Sequence, residues 1–276
     1  MIVRREMFLG PFAQRWAVLL TTARIYLKIL NTFTIQRWRN PLVFLINFAT
    51  WRLAYGVTGN GQVDGATASG FLLVASFGNI IWFSSLWASG FTLERARQEG
   101  TSAALFLSPA SRAAVVIGNG LGSMVQLLPT IVLVSVVAMI TGARLHIVDP
   151  VALLAGVLAM VTGSLAAGFA LSGLFILSRR GGLIATTLQM PIYLLAGFVV
   201  PPSRLPDWLQ PVSNALSVTH AAIALRQSAL LGQDLRAVAP QVLLSLGLSA
   251  LYVLIGHFAL RRVENVARRA GKLDLF

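Results

Sequence analysis

The sequence contains no cysteine and few charged residues. Only 11% of its 276 residues are Asp, Glu, Lys or Arg, where a soluble domain has about a quarter, and 56% are hydrophobic. A soluble fold of this length could not bury that much apolar surface, so lipid must be the solvent for much of the chain. The lack of cysteine excludes disulfides, thiolate metal sites and a cysteine nucleophile.

Acidic residues are the scarcer charge. Ion-driven transporters need carboxylates within the membrane to bind and release the coupling ion. The chain has nine acids, and each falls outside the long apolar runs: Glu6, Asp64, Glu94, Glu99, Asp149, Asp207, Asp234, Glu264 and Asp274. The sequence therefore argues against a proton- or sodium-driven carrier.

Motifs for catalysis and nucleotide binding are also missing. The three histidines lie far apart, and no HExxH or paired-carboxylate pattern occurs, which argues against an intramembrane enzyme. A P-loop requires Ser or Thr after its Gly-Lys pair, but Gly271 and Lys272 are followed by Leu273. We expect no cofactor in this chain, and energy for uphill transport would have to come from a partner.

Apolar runs of spanning length predict an all-α integral membrane protein with six transmembrane helices, in one domain over residues 1–276. The net charge of +13 lies in short stretches between these runs, which is typical of topology signals rather than of a nucleic-acid surface. The membrane domain covers 41–260, and its predicted spans are 41–58, 69–92, 113–141, 151–178, 183–201 and 241–260.

The distribution of Lys and Arg predicts the orientation, because cytoplasmic loops are enriched in both. Seventeen of the 22 lie in the N-terminal segment, in the loops after spans two and four, or in the tail 261–276. Four lie in the alternate loops, and Arg52 lies within a span. Both termini are therefore expected in the cytoplasm.

Two segments flanking the spans have their own patterns. Residues 11–39 place apolar side chains at helical spacing opposite Arg24 and Lys28, which predicts an amphipathic helix at the membrane interface. A buried bundle helix is the alternative. Residues 201–236 are semi-polar and rich in proline, which favours short helices that enter the outer leaflet and return.

Glycine, proline and one arginine mark the spans. Closely spaced glycines in spans three and four predict tight helix contacts: Gly118, Gly122, Gly163, Gly168 and Gly173. Pro129 and Pro191 are expected to kink their helices. Arg52 has two possible roles: it attracts anions on a path or pairs at a subunit contact, or it extends to the outer headgroups beside Trp51 and Tyr55.

The stretch 94–112 has the features of an ordered docking element. A polar helical extension is broken at Gly100, and a short amphipathic helix is expected from Thr101, as its N-cap, to Leu107. Ser108 and Pro109 would end that helix. A solvated charged loop would not require an N-cap residue followed by a helix-ending Ser-Pro pair.

This stretch resembles the cytoplasmic coupling region of ABC type-2 transporter permeases, and Gln98 and Ser102-Ala103 depart from the family pattern. Within that family the sequence resembles the drug-resistance and nodulation-factor export permeases more than the O-antigen permeases. The matching residues, to which the resemblance assigns coupling to the ATPase, are Glu94, Arg95, Arg97, Glu99, Gly100, Thr101, Leu105, Ser108 and Pro109, with Arg112. A second match follows span five, at Gly197, Pro201, Leu205, Pro206, Trp208, Leu209, Leu216, Thr219 and Arg226.

The resemblance implies a half-transporter in a bacterial inner membrane. A second permease subunit, identical or not, would complete the path, and two copies of a cytoplasmic ATPase would supply ATP and Mg²⁺ chemistry. The expected function is export of an amphipathic substrate such as a drug, a lipid or a lipid-linked glycan. Path candidates are Arg52, Asn79, Trp82, Phe83, Trp87, Gln189 and Phe198, and the outer gate would contain Pro201, Leu205, Pro206 and Trp208.

Two other classes of function remain open from the residues alone. One is a membrane anchor or assembly subunit without transport, and the other is an intramembrane enzyme. Association with an ATPase whose turnover depends on the 94–109 element would separate the permease from both.

Overall fold

The computed structural model describes residues 11–32, 34–57, 62–101, 111–177 and 181–270, and every structural statement below concerns these. They form eleven α-helices, one π-helical turn at Leu86–Gly90, a 3₁₀ turn at Pro202–Arg204 and one hairpin. The helices are α1 (Pro11–Thr32), α2 (Thr34–Val57), α3 (Ala68–Ser85), α4 (Thr92–Gln98), α5 (Arg112–Gln126), α6 (Leu128–Ile140), α7 (Pro150–Leu177), α8 (Gly181–Leu195), α9 (Gln210–Asn214), α10 (Ser217–Ala229) and α11 (Leu235–Ala270).

Three helical segments are long and apolar enough to cross a membrane: Ala68–Gly90, Pro150–Gly173 and Leu235–Arg262. A fourth crossing is possible if α5 and α6 act together, although they are bent by 41° at Leu127. The apolar part of α2, Pro41–Val57, and the whole of α8 are shorter. At 1.5 Å per residue, the 15 residues of α8 extend about 22 Å, less than the ~30 Å hydrocarbon core. Of the six predicted spans, length and composition thus support three or four.

Several predicted boundaries are wrong. The amphipathic helix predicted over 11–39 ends at Thr32, and Thr34 starts α2, which carries Pro41 within it. The span predicted over 183–201 stops at Leu195, because Gly197 adopts a positive φ of 77° that no α-helix can contain. The predicted kink of span three is confirmed, since the chain breaks at Leu127 and restarts with Pro129 in the first turn of α6.

A β-hairpin corrects the all-α prediction. Strand β1 (Gln62–Val63) pairs antiparallel with β2 (Ala66–Thr67). Asp64 and Gly65, with φ of 48° and 79°, form the connecting turn, and the Asp-Gly dipeptide is a typical signal for it. Thr67 ends the hairpin and caps α3, because its Oγ1 accepts from the Gly70 amide at 3.2 Å.

Helix α3 is the central element of the bundle, and fifteen of its eighteen residues are buried. Helices α7, α10 and α11 pack together beside it, while α1 packs on α5. Helix α10 is buried nearly all round, in the region where the sequence predicted re-entrant helices. Helix α1 keeps an open apolar side, with about half of Trp16, Leu20 and Ile25 exposed.

The prediction of tight helix contacts is confirmed at four of the five glycines, Gly122 being untested. A Cβ on Gly118 would lie 2.7 Å from the Leu19 carbonyl oxygen of α1, and one on Gly173 would lie 2.7 Å from Ala259 Cβ of α11. At Gly163 a Cβ would meet Ser217 Oγ at 2.8 Å. No side chain fits at these distances, so glycine sets the spacing between these helices.

We expect Gly168→Ala to destabilise the bundle. Its Cβ would lie 2.9 Å from Ser85 Oγ and 3.0 Å from the Ser85 carbonyl oxygen, which is backbone and cannot swing away. The loss should be about 1–3 kcal/mol. Gly247→Ala is the matched control, because no described atom lies within 4 Å and the better helix propensity should add roughly 0.5–1 kcal/mol. Opposite signs in denaturant unfolding of the two purified variants test the packing; equal changes would contradict it.

Candidate coupling and translocation site

Two ends of the bundle carry the predicted functional residues. At the Glu94 end, α4 lies against the start of α5 and the last turns of α7, with Leu93, Val116, Phe169 and Leu260 in one apolar cluster. The opposite end holds the hairpin, the first turn of α3 and the chain that follows α8.

Helix α3 continues into α4 through the π-turn Leu86–Gly90 and Phe91. Side-chain hydrogen bonds fix this connection to α5. Ser89 Oγ donates to the Val116 carbonyl at 3.0 Å, and Asn119 Nδ2 donates to Thr92 Oγ1 at 3.1 Å. These bonds are buried or half-buried, and they join the π-turn and α4 to the same helix, α5.

Glu94 is an interior residue, although the sequence places it in a cytoplasmic docking string. It is 2% exposed. Its Oε1 accepts from Arg97 Nη2 at 2.6 Å and from Gln98 Nε2 at 3.1 Å. Oε2 is buried with no donor among the described residues. Glu94 is therefore buried with its described hydrogen-bond partners inside α4, and it cannot itself form an external docking contact in this conformation.

The exposed surface of the coupling string begins one residue later. Arg95, Glu99, Gly100 and Thr101 are exposed, and Arg97 is half-buried. Gly100 has a φ of 68° and ends α4. Thr101 does not begin a described helix; its amide and hydroxyl both bond the Ala96 carbonyl, at 2.8 and 3.2 Å. Three other predicted coupling residues lie outside the described part of the chain: Leu105, Ser108 and Pro109.

Two aromatic path candidates, Phe83 and Trp87, belong to a ladder of rings that runs from the end of α3 past the π-turn to α7. Phe83, Trp87, Phe91 and Phe175 follow one another with ring centroids 6.0, 4.9 and 4.8 Å apart, and Trp87 and Phe91 are stacked at 10°. Phe44 of α2 meets Phe83 edge-on at 5.9 Å. Phe83 and Trp87 are half-buried, so the ladder reaches the side of the bundle between α2 and α8.

Of four other path candidates, two are buried in the core of the bundle and two are half-buried. Trp82 and Phe198 are buried in one apolar cluster, and Phe198 fills the gap at Gly78, where a Cβ would be 2.4 Å away. Asn79 and Gln189 are half-buried. Trp82 and Phe198 therefore close the helix packing in this conformation.

Arg52 forms hydrogen bonds inside the bundle, at the end opposite to Glu94. Its Nε donates to Ser69 Oγ at 2.8 Å, and that hydroxyl donates to the Thr141 carbonyl at 2.8 Å. The half-buried guanidinium thereby joins α2 to the first turn of α3 and the end of α6. These contacts differ from both predicted roles of Arg52 and favour a role in linking the three helices.

The chain after α8 is held by what we call the carbonyl clasp, three backbone carbonyls bound by side chains from other helices. Ser213 Oγ donates to the Leu195 carbonyl at 2.6 Å, and Tyr55 Oη donates to the Val199 carbonyl at 2.5 Å. Arg226 Nη2 donates to the Gly197 carbonyl. A buried non-helical backbone needs such partners. Here they come from α9, α2 and α10.

Arg226 is the charged member of the clasp. It is 8% exposed, and its guanidinium lies 4.5 Å from the centre of the Phe71 ring in the first turn of α3. A cation beside the carbonyls that end a helix is favourable. Arg226 thus links the end of α8 to the start of α3.

The predicted gate residues lie next to the clasp. Pro201 is buried and Leu205 half-buried, while Pro206 and Trp208 are exposed, Trp208 to 74%. Arg204, between them, lies 3.9 Å from Asp64 of the hairpin. The gate segment therefore packs over the clasp with an outward-facing indole.

The sequence analysis missed Asp149, which caps two helices. Its Oδ2 accepts from the Leu235 amide at 2.9 Å and its Oδ1 from the Val151 amide at 2.8 Å. These two bonds, from the first turns of α11 and α7, hold the pKa of Asp149 below its usual range. The Asp149-Pro150 pair is a helix-start signal that could have indicated the first of these bonds.

Several apolar helices of spanning length, packed in one bundle, indicate a multi-pass helical membrane protein. The sequence model of the ABC-2 type transporter family matches residues 25–230, and the chain belongs to that family. It is an ABC transporter permease, a transmembrane component of a family that is generally non-catalytic and normally works with cytoplasmic ATPase subunits. None of the curated proteins matches the chain significantly.

Proposed function

We propose that this permease exports an amphipathic substrate across the inner membrane of a bacterium, in complex with a second permease subunit and two copies of a cytoplasmic ATPase. The observation that carries this proposal is the continuous chain from α4 through the π-turn to α3, with hydrogen bonds that join Ser89 and Thr92 to α5. Force applied to the exposed end of α4 would reach Trp87 through Thr92 and the π-turn.

The distribution of basic residues supports the orientation. The Glu94 end is the cytoplasmic end in the proposal, because the Lys- and Arg-rich segments are connected to it. The carbonyl clasp and the gate segment are then at the outer end. The amphipathic α1, with its open apolar side, would lie in the cytoplasmic interface and rest on α5.

The path would run between two subunits, with α3 and α8 on its wall. Helix α8 keeps polar side chains exposed at Thr186 and Thr187, beside exposed Leu183 and Met190. Two adjacent exposed threonines distinguish this surface from α7 and α11, whose exposed residues are mostly leucine and valine, although α7 also exposes Thr162. This mixed surface suits contact with a second subunit and with an amphipathic substrate.

The Gly100→Ala substitution tests the coupling role. No described atom lies within 4 Å of the added Cβ, so the change acts through the positive φ alone, at about 1–2 kcal/mol. Gly142→Ala is the matched control at the opposite end, with a φ of 94° and equally open surroundings. Both variants should fold, with similar small losses of stability.

We expect the complex carrying Gly100→Ala to hydrolyse ATP about tenfold more slowly in proteoliposomes, or to lose its ATPase on purification. The complex carrying Gly142→Ala should keep its turnover within about twofold. Equal turnover in the two complexes would contradict coupling through this turn. A stable ATPase complex with no movement of any substrate from a panel of lipids and drugs would favour the anchor or assembly role.

A further inference from the structure

Two indole N–H groups on α3 lack acceptors. Trp82 Nε1 and Trp87 Nε1 are both buried, and neither has a hydrogen-bond partner among the described residues. A buried indole usually finds an acceptor, and a buried donor left without one is costly. Two such donors five residues apart, one of them within a π-turn, are a feature that packing alone does not explain.

Both indoles belong to clusters that include α8. Trp82 shares its cluster with Tyr193, Ala196 and Phe198, near the end of α8. Trp87 shares its cluster with Ala185 and Ile184, at the start of α8. Both clusters thus include residues in α8 or just after it, at two levels of the bundle.

One ring face of Trp87 is already occupied, and a second ring lies tilted beside it. Phe91 stacks on Trp87 at 4.9 Å and 10°, and Phe83 lies 6.0 Å from Trp87. An aromatic cage binds a cationic head group through open ring faces. The ladder instead presents the edge of the Trp87 ring, which carries the N–H group. A hydrogen-bond acceptor is the group that such an edge can bind.

The charges on this wall also disfavour a cation. The sequence of α2, α3 and α8 contains no Asp or Glu. Of the two acids that flank α3, Asp64 lies 3.9 Å from Arg204 and Glu94 is bound by Arg97. A positive head group would find no counter-charge there, whereas Arg52 and Arg226 lie towards the outer end.

We propose that Trp82 and Trp87 are the substrate's hydrogen-bond donors, and that the substrate is an amphiphile with an oxygen-rich, neutral or anionic head group rather than a cationic one. This rests on the proposed function, of which it specifies the substrate class. The closed conformation buries both donors, and the open conformation supplies them with acceptors from the substrate.

Three amphiphiles with the same twelve-carbon tail test the proposal: dodecyl maltoside, dodecyl phosphate and dodecyltrimethylammonium. The full chain is placed in lipid nanodiscs with ¹⁵N-labelled tryptophan, and each amphiphile is added below its critical micelle concentration. The indole N–H signals report hydrogen bonding directly, and Trp→Phe variants assign them. Binding is measured without ATP or the ATPase, so its result is independent of coupling.

We expect saturable downfield shifts of the Trp82 and Trp87 indole protons with the maltoside or the phosphate, and none with the ammonium. Trp82→Phe and Trp87→Phe keep an aromatic ring without the N–H, and each should weaken binding about three- to tenfold. Trp16→Phe, about half exposed on α1, is the control and should leave the affinity unchanged.

An equal response to the ammonium, unchanged affinity in both variants, or no saturable shift with either oxygen-rich amphiphile would overturn the proposal. Dispersed signals from the remaining indoles show that each variant is folded. The coupling defect of Gly100→Ala would stand in any of these cases, which separates a failure of this inference from a failure of the proposed function.

Discussion

The Gly197→Ala substitution is expected to lower the free energy of unfolding by about 3 kcal/mol, one of the two largest losses expected here. Gly197 has a φ of 77°, which costs an L-residue about 1–2 kcal/mol. An added Cβ would also lie 2.9 Å from Pro202 Cδ and 3.0 Å from Pro202 Cγ. A proline ring is closed onto its own backbone and cannot rotate away, so overpacking adds about 1–3 kcal/mol.

The carbonyl clasp makes this loss functional as well as structural. The same Cβ would lie 3.4 Å from Arg226 Nη2, which donates to the Gly197 carbonyl. Displacing the guanidinium would release the end of α8 from α10 and from the first turn of α3. We therefore expect loss of ATP-driven transport together with loss of stability.

Chemical denaturation in detergent micelles, followed by circular dichroism, measures the effect. Gly142→Ala separates its two causes, because it has a similar positive φ with no described atom within 4 Å of the new Cβ. It should cost only about 1–2 kcal/mol. A loss at Gly142 as large as the loss at Gly197 would show that the clasp and Pro202 contribute nothing.

Hydropathy predicted the long helices correctly because a continuous apolar run needs no further information. The segments 69–92 and 151–178 nearly coincide with Ala68–Gly90 and Pro150–Leu177. The same criterion failed after Leu195, where the chain stays apolar while Gly197 turns it out of the helix. Hydrophobicity does not record backbone conformation, so the fifth span was predicted too long.

The clasp could not be predicted from local patterns. Tyr55 and Val199 are 144 residues apart, and Arg226 and Gly197 are 29 apart. Arg226 was identified only through the family resemblance. The ladder was partly predictable, since Phe83, Trp87 and Phe91 recur at four-residue spacing, but the missing acceptors on the two indoles depend on the packing of α8.

Glu94 shows what a motif does and does not convey. The motif predicts an external docking role for a side chain that is 2% exposed. The sequence predicts a loop position for Glu94 because this residue lies two positions after the apolar run 69–92. Helix α4 continues α3 almost directly, and the cluster around Leu93 buries the carboxylate with it.

The Glu94→Ala substitution is therefore expected to cost about 3 kcal/mol of unfolding free energy and to uncouple the ATPase. It removes the acceptor of two hydrogen bonds, one of them from a guanidinium at 2.6 Å. Removing one partner of a buried ion pair costs roughly 3–5 kcal/mol. The lower end applies because the Arg97 side chain is 20% exposed and partly screened.

Glu94→Gln should be intermediate, at about 1–2 kcal/mol, because the amide keeps one oxygen for Arg97 but no charge. Glu99→Ala is the matched control, because it removes the other acidic side chain of the same coupling string. Its side chain is exposed, so stability should change by less than about 0.5 kcal/mol. A double-mutant cycle between Glu94→Gln and Arg97→Gln would assign the part that belongs to the pair.

Measuring the unfolding free energy and the ATP turnover of the same variants distinguishes two roles for Glu94. It either stabilises α4 inside the bundle or contacts the ATPase at the surface. If Glu94 positions α4 from within, Glu94→Ala lowers both quantities, while Glu99→Ala affects turnover alone or neither. If Glu94 instead leaves the bundle to bind the ATPase, Glu94→Ala would reduce turnover and leave the isolated permease as stable as before. That second pattern would contradict the buried position as the functional one.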